Sequence, residues 1–108
     1  MKVCELALAL DWTSVSTPDD QREACGVYIG DLLSWVMGRA GADQAWITIM
    51  SNRNIVAVAT LADTACILLA EGVVPDEGVA QLAAEKGVNL LQSDLSAYEI
   101  AVTLRDAL

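Results

Sequence analysis

The sequence has no histidine and no phenylalanine, and only two prolines and six basic residues among its 108. Without histidine, a Ser-His or Cys-His nucleophilic pair cannot be assembled, and the commonest zinc ligand is missing. Without phenylalanine, a chain that is 55% hydrophobic must fill its core with small aliphatic side chains, chiefly Ala, Val and Leu. Cys4, Cys25 and Cys66 are an odd number with no CxxC spacing, so neither a disulfide framework nor a metal centre is signalled. They read as reduced core residues rather than redox or iron–sulfur ligands. The glycine-rich GxxxxGK loop of a phosphotransferase is also missing: the two lysines, Lys2 and Lys86, follow no such loop, and GVYIG alone lacks the dinucleotide fingerprint.

Against six basic residues stand fifteen acidic ones, for a formal net charge of −9. Such a surface repels a nucleic-acid backbone and an anionic membrane, so neither is expected as a primary partner, and the acidity reads as a solubilising charge. The longest apolar stretch, IVAVATLADTACILLA, is too short and too interrupted for a membrane span. The opening MKVCELALAL lacks a small-residue cleavage site and carries Glu5 inside its apolar part. That argues against a signal peptide, and the cytoplasm is the expected compartment.

The length suits one domain over residues 1–108, large enough to need no cofactor, metal or disulfide for stability. Val3, Leu6, Ala7 and Leu10 form a helical stripe, and residues 11–20 read as a short extended piece and a loop in which Pro18 excludes a central strand. ACGVYI, residues 24–29, predicts a strand closed by Gly30, after which Asp31 is placed to cap a helix with Leu32, Leu33, Val36 and Met37 on its apolar face. Trp35 lies off that face, at a core edge or in a subunit contact. AWITIM predicts a buried strand at 45–50, followed by a helix over 54–62 and a strand over 65–70. Pro75-Asp76-Glu77 marks a helix start with acids in the first turn, ending at Lys86-Gly87. VNLLQ is the next strand, and Ser96 to Glu99 forms a capping box for a last helix whose Ile100, Ala101 and Leu104 face inward. The alternation implies an α/β fold: a single-domain, mostly parallel sheet with helices packed on its faces.

In such a sheet the strand C-terminal ends line one edge, the usual position for a ligand. Here those ends carry Gly30-Asp31, Ser51-Asn52-Arg53-Asn54, Glu71-Gly72 and Ser93-Asp94. Gly30, Asp31, Ser51, Asn52, Arg53, Asn54, Glu71 and Gly72 are therefore the candidate ligand-binding residues, with Arg53 as the fixed positive charge for a phosphate or carboxylate. The alternative is that Asp31, Asn52 or Asn54, and Ser96 are only helix caps and that Arg53 pairs with Asp31 or Glu71. No catalytic residue and no metal ligand is indicated.

ACILLAEGVVPDEGVAQLAAEKGVNLLQSDLSAYEIA, together with GVYIGDLLSWVMGRA and AWITIMSNRNIVAVA, resembles the short, stand-alone members of the DRTGG-domain family, and the resemblance covers nearly the whole chain. That family is similar to the N-terminal domain of HPr kinase/phosphorylase, a parallel α/β domain that assists oligomer assembly without carrying kinase chemistry. Of the eponymous residues, the Asp-Arg pair corresponds to Asn52-Arg53 and Thr-Gly-Gly to Ala70-Glu71-Gly72, so Arg53 and Gly72 are retained. The resemblance implies regulation more than catalysis. The expectation is a non-enzymatic, homo-oligomeric binding module for a small anionic metabolite or nucleotide; the alternatives are a structural adaptor on a larger partner enzyme and a small kinase-like enzyme.

Overall fold

In a computed structural model, residues 1–9 and 11–108 are described. Leu10, the last position of the first helical stripe, lies outside the described residues. The elements in order are α1 (Val3–Ala9), β1 (Thr13–Ser16), β2 (Val27–Ile29), α2 (Leu33–Arg39), β3 (Ala45–Thr48), α3 (Asn54–Ala62), β4 (Cys66–Leu69), α4 (Val79–Lys86), β5 (Leu90–Gln92) and α5 (Ala97–Ala107). One five-stranded sheet has the order β1-β5-β4-β3-β2. The strands from β2 to β5 are parallel, in the registers Ile29↔Ile47, Ile47↔Leu68 and Leu68↔Leu91. β1 adds an antiparallel edge beside β5.

The two central strands explain the layering. All four residues of β3 and all four of β4 are buried, so both faces of the sheet must be covered. Ala45, Ile47, Cys66, Leu68 and Leu91 pack with Val3 and Leu6 of α1 and Ile100 and Leu104 of α5. Trp46, Ile67, Leu69 and Leu90 pack on the opposite face with Val36 of α2, Ile55, Val56, Val58 and Ala59 of α3, and Val79 and Ala83 of α4. Successive side chains of a strand point to opposite faces, so each strand supplies both cores. α3 consists largely of strand-forming residues, NIVAVATLA, yet is helical because four of its side chains find that second core.

The boundaries differ from the sequence expectation where backbone conformation intervenes. The strand expected over 24–29 is three residues long, because Gly26 adopts φ +81 and breaks the extended run. Pro75, Asp76 and Glu77 precede α4 rather than forming its first turn: Gly78, at φ 85, is left-handed, and the helix begins at Val79. The apolar face of α2 is narrower than expected, with Val36 buried while Leu32 and Met37 are exposed. Trp35 is 53% exposed, with the Arg39 guanidinium 3.8 Å above its ring centroid. The cysteines are free but not all in the core: Cys66 is buried, Cys4 is half-buried and Cys25 is exposed. Burial pushes the Cys66 thiol up to about 12, against the opposite pull of Arg22, so it is unreactive at neutral pH.

Two polar clasps hold the opposite, N-terminal edge of the sheet. Asn89 is buried; its amide nitrogen donates to the carbonyls of Asp19 (2.8 Å) and Ala65 (2.9 Å), and its oxygen accepts from the Asp19 N–H (3.0 Å). Arg22 donates from Nε and Nη2 to Asp43 Oδ1 at 3.0 and 2.8 Å, and from Nη2 to Asp63 Oδ1 at 2.9 Å. Burial works against its charge, but these bonds prevail and raise its pKa. Both aspartates are left-handed, at φ 64 and φ 59, which turns their loops toward the guanidinium. Replacing Asn89 by Ala removes three hydrogen bonds; the Asp19 carbonyl keeps the Arg22 N–H at 3.2 Å, while the Asp19 N–H and the Ala65 carbonyl lose the Asn89 side chain, so the loss of unfolding free energy is expected to be about 1–3 kcal/mol, read from urea denaturation.

Candidate functional site

The C-terminal edge brings the loops expected from sequence into one row and then ties them to one another. Asp31 does not cap α2, whose first residue is preceded by Leu32 with no side-chain cap. Its Oδ1 instead accepts from Thr48 Oγ1 (2.8 Å) and from the Ile49 N–H (3.0 Å), joining the β2–α2 loop to the end of β3. The indole of Trp46 donates to the Gly30 carbonyl at 2.9 Å, fixing the same junction from the core. One step along, Ser51 Oγ donates to Asp76 Oδ1 (2.8 Å) while the Asp76 N–H donates to the Ser51 carbonyl (2.9 Å). Asn52 acts as a local cap, its Oδ1 accepting from the Asn54 N–H at 2.9 Å.

The β4–α4 loop is joined to the β5–α5 loop in turn. The N–H groups of Glu71 and Gly72 donate to the carbonyls of Leu95 (2.8 Å) and Ser93 (2.9 Å). Both residues have positive φ, 63 and 71, and the Val73 N–H closes the turn onto the Ala70 carbonyl at 3.1 Å. Ser96 caps α5 as expected, accepting from the Glu99 N–H at 3.2 Å.

This row includes the place where an open α/β sheet is expected to gape. A crevice forms where adjacent strands send their helices to opposite faces. β4 leads to α4 on one face and β5 to α5 on the other. The two backbone bonds between Glu71-Gly72 and Ser93-Leu95 close that gap. A concavity of about 260 Å³ remains beside it, lined by Asp11, Trp12, Thr13, Gln92, Ser93, Asp94 and Leu95. Trp12, missed as a lining residue, is buried there, and its indole N–H has no hydrogen-bond partner.

Of the eight candidates, Gly30, Asp31, Ser51, Asn52 and Gly72 are thus engaged in the architecture. Arg53, Asn54 and Glu71 are exposed, and their side chains make no hydrogen bond or ion pair among the described residues. Arg53 pairs with neither Asp31 nor Glu71. It lies with Asn54 at one end of a groove of about 420 Å³ between α3 and α4, which continues along Val56, Ala57, Thr60 and Leu61 to Leu82 and Lys86. Arg53, Ala57, Thr60 and Leu61 follow one helical stripe, a signal visible in the sequence. That Leu82 and Lys86 face this stripe depends on α3 and α4 lying side by side, which residue spacing does not reveal. Among the described residues, no helix is long and apolar enough to cross a membrane, and no cluster of three or more His, Cys, Asp or Glu side chains could hold a metal ion.

The family model of the DRTGG domain matches residues 5–107. The chain belongs to the DRTGG domain family. Among solved structures, this DRTGG domain is similar to the CBS and DRTGG domains of the regulatory region of Clostridium perfringens pyrophosphatase, complexed with an activator, diadenosine tetraphosphate. The TM-score is 0.73 at 11% identity, covering 95% of this chain and 45% of the other. The likeness is one of fold, and this chain spans less than half of that one. No curated protein matches the sequence. Glu71 and Gly72 form a turn with two successive left-handed residues, the conformation for which a glycine pair is suited. In this chain Glu71 occupies the first of those positions with a side chain.

Gly72 gives this turn a direct test. A Cβ there would lie 3.1 Å from Asp94 Oδ1 in addition to the cost of the left-handed backbone. Gly72→Ala is expected to lower unfolding free energy by about 1–2 kcal/mol, measured by chemical denaturation.

Proposed function

We propose that this DRTGG domain is a non-catalytic regulatory module that binds a small anionic metabolite or nucleotide through Arg53. The observation that carries this reading is the setting of Arg53. It is an exposed cation with no acidic partner among the described residues, at the mouth of a groove of ligand size, on a chain of net charge −9. The α3 amides are a weaker anchor, because the N–H groups of Asn54, Ile55 and Val56 already have acceptors in Asn52 and Arg53. The acids along the same edge hold loops together, Asp31 with Thr48 and Asp76 with Ser51, which favours architecture over general acid–base work. The fold neighbour lies in a regulatory region crystallised with diadenosine tetraphosphate, which makes nucleotides the first anions to try.

The same reading includes self-association. Leu32 and Trp35 of the α2 segment, three residues apart, are both exposed, an apolar surface suited to a second copy. An adaptor role on a larger enzyme would use the same surface.

Two measurements test these statements. In a thermal-shift screen of nucleotides and phosphorylated metabolites, a ligand at a hundredfold its Kd is expected to add about 2.7 kcal/mol, and Arg53→Ala to abolish the gain; stabilisation that survives the substitution refutes the Arg53 site. Light scattering at micromolar concentration is expected to give a mass that is a multiple of 11.4 kDa. A monomer throughout refutes the homo-oligomer and leaves α2 as a surface for a different protein.

A further inference from the structure

We infer that the ligand of the α3–α4 groove is an amphiphilic anion: a carboxylate or phosphate head held at Arg53, with an aliphatic or aromatic body lying along the groove. This rests on the reading of Arg53 as an anion contact and specifies what else the ligand must carry. Past Arg53 and Asn54 the lining is mostly aliphatic, Val56, Ala57, Leu61 and Leu82, with Thr60 within it and Lys86 at its far end. Thr60, the polar residue between them, has its hydroxyl donating to the Val56 carbonyl at 2.9 Å, so it does not call for a partner from the ligand. From Arg53 to Leu61 the helical stripe runs about 12 Å at the rise of an α-helix. A hydrophilic polyanion laid there would bury charge against aliphatic side chains with few donors to receive it, whereas an apolar body loses unfavourable contact with water.

Charge complementarity selects the head. α3 carries no acidic residue, and no acidic side chain lines the groove, whose cations are Arg53 at the head and Lys86 at the other end. Two of the six basic residues of the chain therefore serve one groove. A cationic amphiphile of the same shape has no acidic group in that lining to meet.

Isothermal titration of the full chain with butyrate, hexanoate and octanoate below their micellar concentrations, and with octylamine, inorganic phosphate and ATP, tests the assignment. Dissociation constants are expected to fall by up to about fourfold for each added methylene. Octanoate is expected to bind at least tenfold more weakly to Arg53→Ala. Ala57→Glu, at an exposed position on the floor, is expected to remove the dependence on chain length. Circular dichroism and melting of both variants should match the parent chain. Arg53-dependent binding of phosphate or ATP without any gain from a longer chain overturns the amphiphile and leaves the anion reading standing. Octylamine binding as well as octanoate also overturns it, and Arg53-dependent binding of none of the anions overturns both.

Discussion

The burial of β3 and β4 on both faces is the constraint from which the rest of the molecule follows. Strands that expose neither face need helices above and below, and parallel neighbours can be joined only by crossovers, which provide those helices. The side chains that fill this interior are mostly small: apart from Trp46, the two strands contribute Ala, Ile, Thr, Cys and Leu. Cys66 is one of them, and its raised thiol pKa is a consequence of position rather than a sign of chemistry. Because β3 and β4 are short, the junctions at each end contribute a large part of the tertiary connection. Asn89 and Arg22 make them at one edge, and the row from Asp31 to Leu95 makes them at the other.

That second row decides where a ligand can go. In an open sheet the loop ends are commonly free to converge on a bound group, but here the loops bond to their neighbours in sequence: Asp31 to β3, Ser51 to Asp76, Glu71 and Gly72 to the loop after β5. The Glu71 and Gly72 amides, at the change of face between β4 and β5 where a phosphate would otherwise sit, already have carbonyl acceptors. The open groove among the candidate residues lies instead on the flank of the sheet, between α3 and α4, with Arg53 exposed in its lining. The left-handed turn at Glu71-Gly72 belongs to this stitching, so its conformation has a structural reason that does not depend on any ligand.

Much of the architecture was legible in the sequence because its signals were local. The bounds of α3 match the expected 54–62 that follows the polar SNRN, and the cap at Ser96 follows from the spacing to Glu99. The parallel order followed from strict alternation of strand and helix. Less legible were features made by residues distant in the chain. Arg22, which carries no local motif, joins Asp43 and Asp63, each far from it along the chain. Asp31 looked like a cap because a helix follows it, but Thr48, which lies next to it only in the folded sheet, is the better donor. In the candidate site, Arg53 was found as a cation at a strand end, while its partners across the groove, Leu82 and Lys86, belong to a helix whose placement beside α3 is a matter of packing.

The scarcity of positive charge makes the surviving cations informative. Arg22 is committed to two aspartates, Arg105 lies 3.3 Å from Asp106, Arg39 covers Trp35, and Lys2 donates to Gln21 at 3.2 Å. Arg53 and Lys86 are left, and they line the same groove. An anion approaching this molecule meets a net repulsive field over most of the surface, screened beyond about 8–10 Å in physiological salt. Two cations reduce that repulsion locally but do not reverse it for a ligand of high charge. A ligand of low charge with an apolar body gains most of its affinity from contact rather than from attraction at a distance, so an acidic protein can hold it without a basic surface.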